Sequence, residues 1–314
     1  MSLHSAFTRY LYWPLVQNIK GEYAARALEE LSESQWKSRD ELLSRQWQLV
    51  RRTVNKAARE VPYYRRTLKS IGWDFKNTEF SYEDFLNIPR VEKEDLRDRL
   101  SEFLNPNCWG RVTTGRTSGS TGHSLILYYN REHESYSDAG RWRAKDWWGI
   151  KPGSPHISLW GRPYTGYKDR LSQKAKSYFM NTLLFSAFDL QEEILAQIWK
   201  KIRRFRPSII YGYPSAIFPL AGYLKENGKH ADGIELKVIM VTAETITSQQ
   251  RSLIEDVLAA VQPMSMAAQR LGDSSTNVRM RVGTYQVNLH LSSSLTSKEI
   301  RNRQGKQVRS MLLI

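Results

Sequence analysis

The 314 residues carry 40% hydrophobic and 25% charged side chains, ordinary globular usage with length for one large or two modest cores, which excludes disordered and fibrous architectures. The net charge of +15 invites a nucleic-acid or anionic-membrane reading, yet residues 258–314 supply +6 of it and hold one aromatic residue, Tyr285. A single cysteine, Cys108, excludes an internal disulfide, six scattered histidines show no ligand spacing and no metal site is expected, while no apolar run reaches the ~18 residues of a membrane span. With Arg9 among the first aromatics, the N-terminus is no clean leader, and the chain reads as soluble, unexported and cytoplasmic.

The first predicted helix carries Leu43, Trp47, Val50, Val54 and Ala57 at helical spacing and ends at Val61-Pro62. Its other face, Arg51, Arg52, Lys56 and Arg59, reads as solvated, since no interleaving of aromatic and basic residues follows. A capping-type start at Ser81 and a charged helix over 92–99 complete an N-terminal helical layer, residues 1–110. From Arg111 short strands surround glycine: Val112 to Thr114, a loop from Gly115 to Gly122, then Leu125 to Tyr129. A helical face of Leu190, Ile194, Ile198, Ile202 and Phe205 follows, with Asp189 as its cap, and then a strand Ile209 to Tyr211. Gly212 to Ser215 reads as a turn, Ala216 to Leu224 as a helix ended by Asn227-Gly228, and Leu236 to Thr242 as a strand. Thr247 opens another helix with capping-box spacing to Gln250. This alternation predicts an α/β core over residues 111–257, part of the same large domain as the helical layer.

Thr117-Ser118-Gly119-Ser120-Thr121-Gly122 places four hydroxyls and two glycines in six residues. Such a loop turns several N–H groups inward and adds adjustable donors, which suits phosphate oxygens. It is no Walker loop, because no Gly-Lys-Ser/Thr ending occurs and a strand follows it. On composition alone a flexible polar hairpin is an equal reading, and the order of motifs along the chain decides between them.

That stretch resembles the phosphate-gripping signature of the adenylate-forming superfamily of acyl- and aryl-CoA synthetases. Val61-Pro62-Tyr63-Tyr64-Arg65, Ile88-Pro89 with Glu92 to Leu96, Tyr211-Gly212-Tyr213-Pro214-Ser215 and Thr242-Ala243-Glu244-Thr245 follow in the order of the phenylacetate-CoA ligase branch, which includes capsular-polysaccharide-biosynthesis relatives. The similarity covers roughly residues 45–257, and His123-Ser124 stands where the branch has Lys-Pro or a similar pair. The resemblance implies the large N-terminal domain of a ligase that joins a small-molecule carboxylic acid to ATP, then passes the acyl group to coenzyme A. It also implies Mg2+ beside the phosphates held by Thr117 to Gly122. Tyr211, Gly212, Tyr213, Pro214 and Ser215 would lie near the acyl pocket, or serve only as a turn supporting the core. Thr242, Ala243 and Glu244 would close the next strand, with Glu244 either a nucleotide contact or a cap beside the following helix.

The family's next landmark, a Phe-Gly pair and an Asn-Glu-Tyr-Gly segment, is missing as protein after Val257. Joining the third base of each codon to the first two of the next restores it. Met266-Ala267 is forced to glycine, Met264-Ser265 to Glu or Val, and synonymous choices allow Phe-Gly-Cys-Arg-Ala-Ala-Asn-Glu-Tyr-Gly-Ser-Ala-Glu-Ala-Gly. The expectation is a one-base frameshift near codons 257 and 258, with 258–314 an irregular out-of-frame tail whose charge is a by-product of codons. The family's C-terminal catalytic lysine has no counterpart here, so this polypeptide is expected to show no adenylation. The rival reading is a non-catalytic basic module that uses the helix from Leu43 and the tail on nucleic acid or anionic lipid; no specific nucleic acid is expected. Oligomeric state is not legible.

Overall fold

Hydrophobic period sets the order of the elements. The computed structural model describes residues 2–73, 80–108, 110, 112–116, 125–161, 167–258 and strand segments 263–267, 275–282, 285–291, 300–301 and 307–308. The chain opens with α1 (Leu3–Phe7), a π-turn (Thr8–Tyr12) and α2 (Trp13–Lys20). Next come α3 (Ala24–Ser34), α4 (Arg39–Glu60), α5 (Pro62–Ser70), α6 (Tyr82–Leu86), α7 (Lys93–Asp98) and α8 (Leu100–Phe103). A hairpin of β1 (Thr113–Arg116) and β2 (Ile126–Tyr129) precedes α9 (Arg131–Asp146). Then β3 (His156–Leu159), α10 (Tyr167–Phe179), β4 (Thr182–Phe185), α11 (Glu192–Phe205), β5 (Ile209–Gly212), α12 (Pro214–Glu226), β6 (Val238–Thr242) and α13 (Ser248–Leu258) alternate. Strands β7 (Pro263–Ala267), β8 (Ser275–Val282), β9 (Tyr285–Leu291), β10 (Ile300–Arg301) and β11 (Gln307–Val308) end the described chain.

The molecule divides into two compact units, residues 1–28 with 137–294, and residues 29–136 with 295–314. The first holds a seven-stranded sheet in the order β4-β3-β5-β6-β7-β8-β9, parallel from β4 to β7 and antiparallel beyond. Its central strands read as unbroken apolar runs because both faces are covered. Ile157, Leu159, Ile210, Ile239 and Val241 pack against Leu195, Ile198 and Ile202 of α11 and against α12 and α13. The alternate residues Ile209, Tyr211, Val238 and Met240 meet Trp13, Ala24, Trp142 and Ile150 on the opposite face. This α/β architecture agrees with the sequence reading.

The second unit carries the predicted helical stripe as α4, with Val54 and Ala58 buried among Tyr63, Tyr64, Leu68, Phe80 and Phe85, and Trp47 and Val50 packed alongside. Leu43 lies outside this core, 49% exposed. The basic face is partly engaged: Arg51 Nε donates to the Phe80 carbonyl at 3.0 Å and its guanidinium lies 5.5 Å from the Trp47 ring, while Arg52 pairs with Glu132 at 3.5 Å. Arg51 is thus tied to the core of this unit, and Arg52 to a partly exposed carboxylate.

Local capping follows the sequence in two places and departs from it in two. Ser81 and Asp84 form a capping box on α6, and Thr247 and Gln250 exchange the equivalent bonds ahead of α13 at 2.9 and 3.2 Å. Asp189 is no cap: it takes a left-handed backbone (φ 60°), and α11 begins after Gln191 without a side-chain cap. Pro214 and Ser215 form the first turn of α12 instead of a separate turn, since proline at the first helical position loses no hydrogen bond and has its φ preset. Gly222 lies inside α12, and a Cβ built there meets nothing within 4 Å. Gly222→Ala is expected to raise stability by about 0.5–1 kcal/mol by removing backbone entropy from the unfolded chain, read as a higher urea midpoint at unchanged slope.

Candidate functional site

In the first unit the chain runs from β3 outward to β4 and returns to pair β5 on the other side of β3. The strand order therefore reverses between β3 and β5, and open parallel sheets take ligands at the carboxyl ends of strands at such a point. Three short segments meet that description: Trp160 after β3, Gly212 and Tyr213 at the end of β5, and Thr242 to Glu244 at the end of β6.

Trp160 lies stacked with both tyrosines. Its ring centroid is 4.2 Å from that of Tyr213 at 25° and 5.5 Å from that of Tyr211 at 18°. The stack requires the close pairing of Leu159 with Gly212, where a Cβ on the glycine would come within 2.5 Å of the Leu159 carbonyl oxygen. Tyr211 is a buried ring, not an open wall, whereas Trp160 and Tyr213 are half-buried. Behind Tyr211, Lys145 Nζ lies 5.3 Å from its ring and 4.5 Å from that of Trp142, and His156 meets it edge-on at 6.0 Å. Burial pushes the Lys145 ammonium down to about 8, with Arg141 adding to the fall and Asp138 opposing it. Burial, then the neighbouring Lys145, hold His156 well below its ordinary value.

The second predicted motif folds onto the first. Ala243 adopts a left-handed backbone (φ 65°), uncommon for a residue with a Cβ. Beyond it, the Glu244 carboxylate accepts the Ser215 backbone N–H at 3.0 Å on Oε2 and the Ser215 hydroxyl at 2.8 Å on Oε1. Glu244 thus caps the preceding helix α12, placing a negative charge where that helix's dipole is positive. Thr242 is buried beneath, 1% exposed. Glu244→Ala is expected to cost about 1 kcal/mol in the unfolding free energy through the lost cap, and Ser215→Ala less, because its N–H keeps an acceptor.

The structure thus gathers Tyr211, Gly212, Tyr213, Pro214, Ser215, Thr242, Ala243 and Glu244 at neighbouring strand ends. Thr117, Ser118, Gly119, Ser120, Thr121 and Gly122 lie outside the described residues. What is described is the hairpin that carries them, in the other unit, with Arg116 opposite Ile126 and Thr113 opposite Tyr129. Trp160 is the residue that sequence reasoning missed; an apolar run ending in an aromatic residue and a glycine, as at Leu159-Trp160-Gly161, repeats the signal at Ile210-Tyr211-Gly212. A groove of about 450 Å³ lined by Trp199, Lys200, Arg203, Arg204 and Lys229 is separate, at the end of α11 that leads into the start of β5. Among the described residues no cluster of three His, Cys, Asp or Glu is arranged for a metal ion, and both oxygens of Glu244 are engaged by Ser215.

No family model matches the chain. Protein CapK of Staphylococcus aureus is 29% identical over 177 residues, 54% of this chain and 37% of CapK. Phenylacetate-coenzyme A ligase of Thermus thermophilus is 24% identical over 276 residues, 86% of this chain and 55% of the ligase. Among solved structures, 2-hydroxyisobutyryl-CoA ligase with 2-HIB-AMP and CoA aligns in its open conformation with a TM-score of 0.51 at 20% identity, over 74% of this chain and 54% of that one. Its thioesterification state aligns at 0.52 and 20% identity, over 72% and 49%. The homologues of this chain are thus CapK and a phenylacetate-CoA ligase, of whose lengths it spans 37% and 55%, and its fold resembles the N-terminal domain of adenylate-forming CoA ligases.

Proposed function

We propose that this chain is the larger part of the N-terminal domain of a cytoplasmic adenylate-forming ligase that activates an aryl or acyl carboxylic acid with ATP. In the first step a carboxylate oxygen attacks the α-phosphorus, and the bond to pyrophosphate breaks with its electrons leaving on the pyrophosphate. In the second a thiolate, that of coenzyme A, attacks the acyl carbon and AMP departs. The observation that carries the reading is the Trp160–Tyr213 stack at the switch point, beside an α12 N-terminus held by Glu244. Stacked rings at strand ends offer a flat apolar wall for an acyl or aryl group or a base. The hydroxyls and N–H groups of Thr117 to Gly122 would donate to the departing phosphates, stabilising charge as it develops.

The frame reading belongs to this proposal: 258–314 replaces the segment that would complete the site, and this polypeptide turns over no substrate by itself. Acid-dependent exchange of labelled pyrophosphate into ATP, with a panel of aryl and acyl acids, tests both claims. A chain in which the displaced frame is translated from residue 258 through the coding DNA downstream, so that it regains the C-terminal lysine, is expected to exchange, and the present chain to give background. Exchange by the present chain would refute the loss of activity. Coding DNA without ligase-like sequence in the other frame would refute the frameshift.

A further inference from the structure

The helical run of α1, the π-turn and α2 has its amphipathicity turned outward. Its inner face is mostly small or polar, with Ser5, Thr8 and Gln17 buried beside Trp13. Thr8 Oγ1 donates to the Phe179 carbonyl at 2.6 Å, and Gln17 bonds to Asp138 at 3.4 Å. Its outer face presents Leu3, Phe7, Leu11, Leu15 and Ile19 at four-residue steps, 92%, 41%, 57%, 52% and 76% exposed, with Tyr10 beside them. A four-residue repeat drifts around a helix of about 3.6 residues per turn; the wider π-turn rotates less per residue and keeps the row more nearly straight. The end of α10 continues the patch: His4 meets exposed Tyr178 at 5.1 Å, and Tyr12 stacks on Phe179 at 4.9 Å.

Charge along the patch is predominantly positive, with Glu22 and Asp138 the acidic residues near Lys20 and Lys176 and Arg141 a further cation beside them. Residues 2–20 and 171–180 contain Arg9, Lys20, Lys174 and Lys176 and no acidic residue; Lys20 pairs with the adjoining Glu22 at 3.7 Å. A two-fold pairing of this face with a second copy would set these cations against their own counterparts. Apolar and aromatic side chains rimmed by Lys and Arg match the boundary between headgroups and acyl chains of an anionic bilayer. No helix among the described residues is long and apolar enough to cross a membrane. We propose that the outer face of residues 3–19, with Tyr178 and Phe179, is a docking surface that lays this chain on an anionic phospholipid membrane. This placement is independent of the adenylation chemistry.

Flotation of the full chain with phosphatidylcholine vesicles, with and without phosphatidylglycerol, tests it. The expected result is co-flotation with the anionic vesicles and at least a tenfold smaller bound fraction on phosphatidylcholine alone. Leu11→Glu with Leu15→Glu, both exposed, should abolish flotation while leaving the circular dichroism spectrum and melting curve unchanged. Should that pair unfold the chain, Arg9→Gln with Lys20→Gln serves instead and should weaken binding to anionic vesicles several-fold. Failure of the wild type to float, equal binding to both vesicles, or folded variants that bind like wild type would overturn the proposal. So would a dimer in sedimentation that Leu11→Glu dissociates and that shows no vesicle binding.

Discussion

Gly212→Ala is expected to lower the unfolding free energy by about 3 kcal/mol, the upper end of the range for overpacking a close-packed interior. The added methyl would come within 2.5 Å of the Leu159 carbonyl oxygen and 2.9 Å of Leu159 Cβ. Neither neighbour can swing aside, because the carbonyl is part of the backbone of β3 and the Cβ is fixed directly to it, and β3 pairs with β4 on one side and β5 on the other. Relief would require parting β3 from β5, and with them the stack of Trp160 on Tyr211 and Tyr213. The contrast with Gly222→Ala on the same chain separates close approach from ordinary glycine entropy. Chemical unfolding checks it, and a loss under about 0.5 kcal/mol would show that the sheet yields at this point.

Stability is expected to climb with pH in two separate steps. The folded chain holds Lys145 at about 8, below an unfolded value of 10.5, so between those two the unfolded chain binds the extra proton and rising pH favours the fold. The full step is on the order of 3 kcal/mol, because below about pH 8 the fold carries a desolvated ammonium against Trp142 and Tyr211. His156 is held well below 6.5, so the same sign applies there: stability falls as pH drops under 6.5, where only the unfolded chain takes up the proton. Guanidinium unfolding between pH 5 and 9.5 reads both limbs. Lys145→Met should flatten the alkaline limb and raise stability at pH 7, and His156→Phe should flatten the acid limb. A wild-type profile that is level from pH 7.5 to 9.5 would show that Lys145 is solvated.

Where the structure and the sequence agree, the signal is local. Ser81 with Asp84 and Thr247 with Gln250 lie three residues apart, and a capping box needs nothing else. The run Leu236 to Thr242 reads as a strand, and the structure forms one over Val238–Thr242, buried throughout. Asp189 fails because a capping side chain needs an extended backbone at the cap, and this residue lies left-handed. Glu244 was legible as important and ambiguous in role. Only the neighbouring strand end brings Ser215, 29 residues earlier in the chain, within 3.0 Å of its carboxylate.

By itself the sequence determined the alternation of strands and helices, the motifs placed at their ends and the change of composition after Val257, since each is written in side-chain order over a few residues. The tertiary structure alone decided that Trp160 lies against Tyr211 and Tyr213, that Lys145 is buried behind them, and that residues 3–19 turn their large apolar side chains outward. Those outcomes depend on sheet register and on which surfaces find a partner, and both are set by residues far apart along the chain.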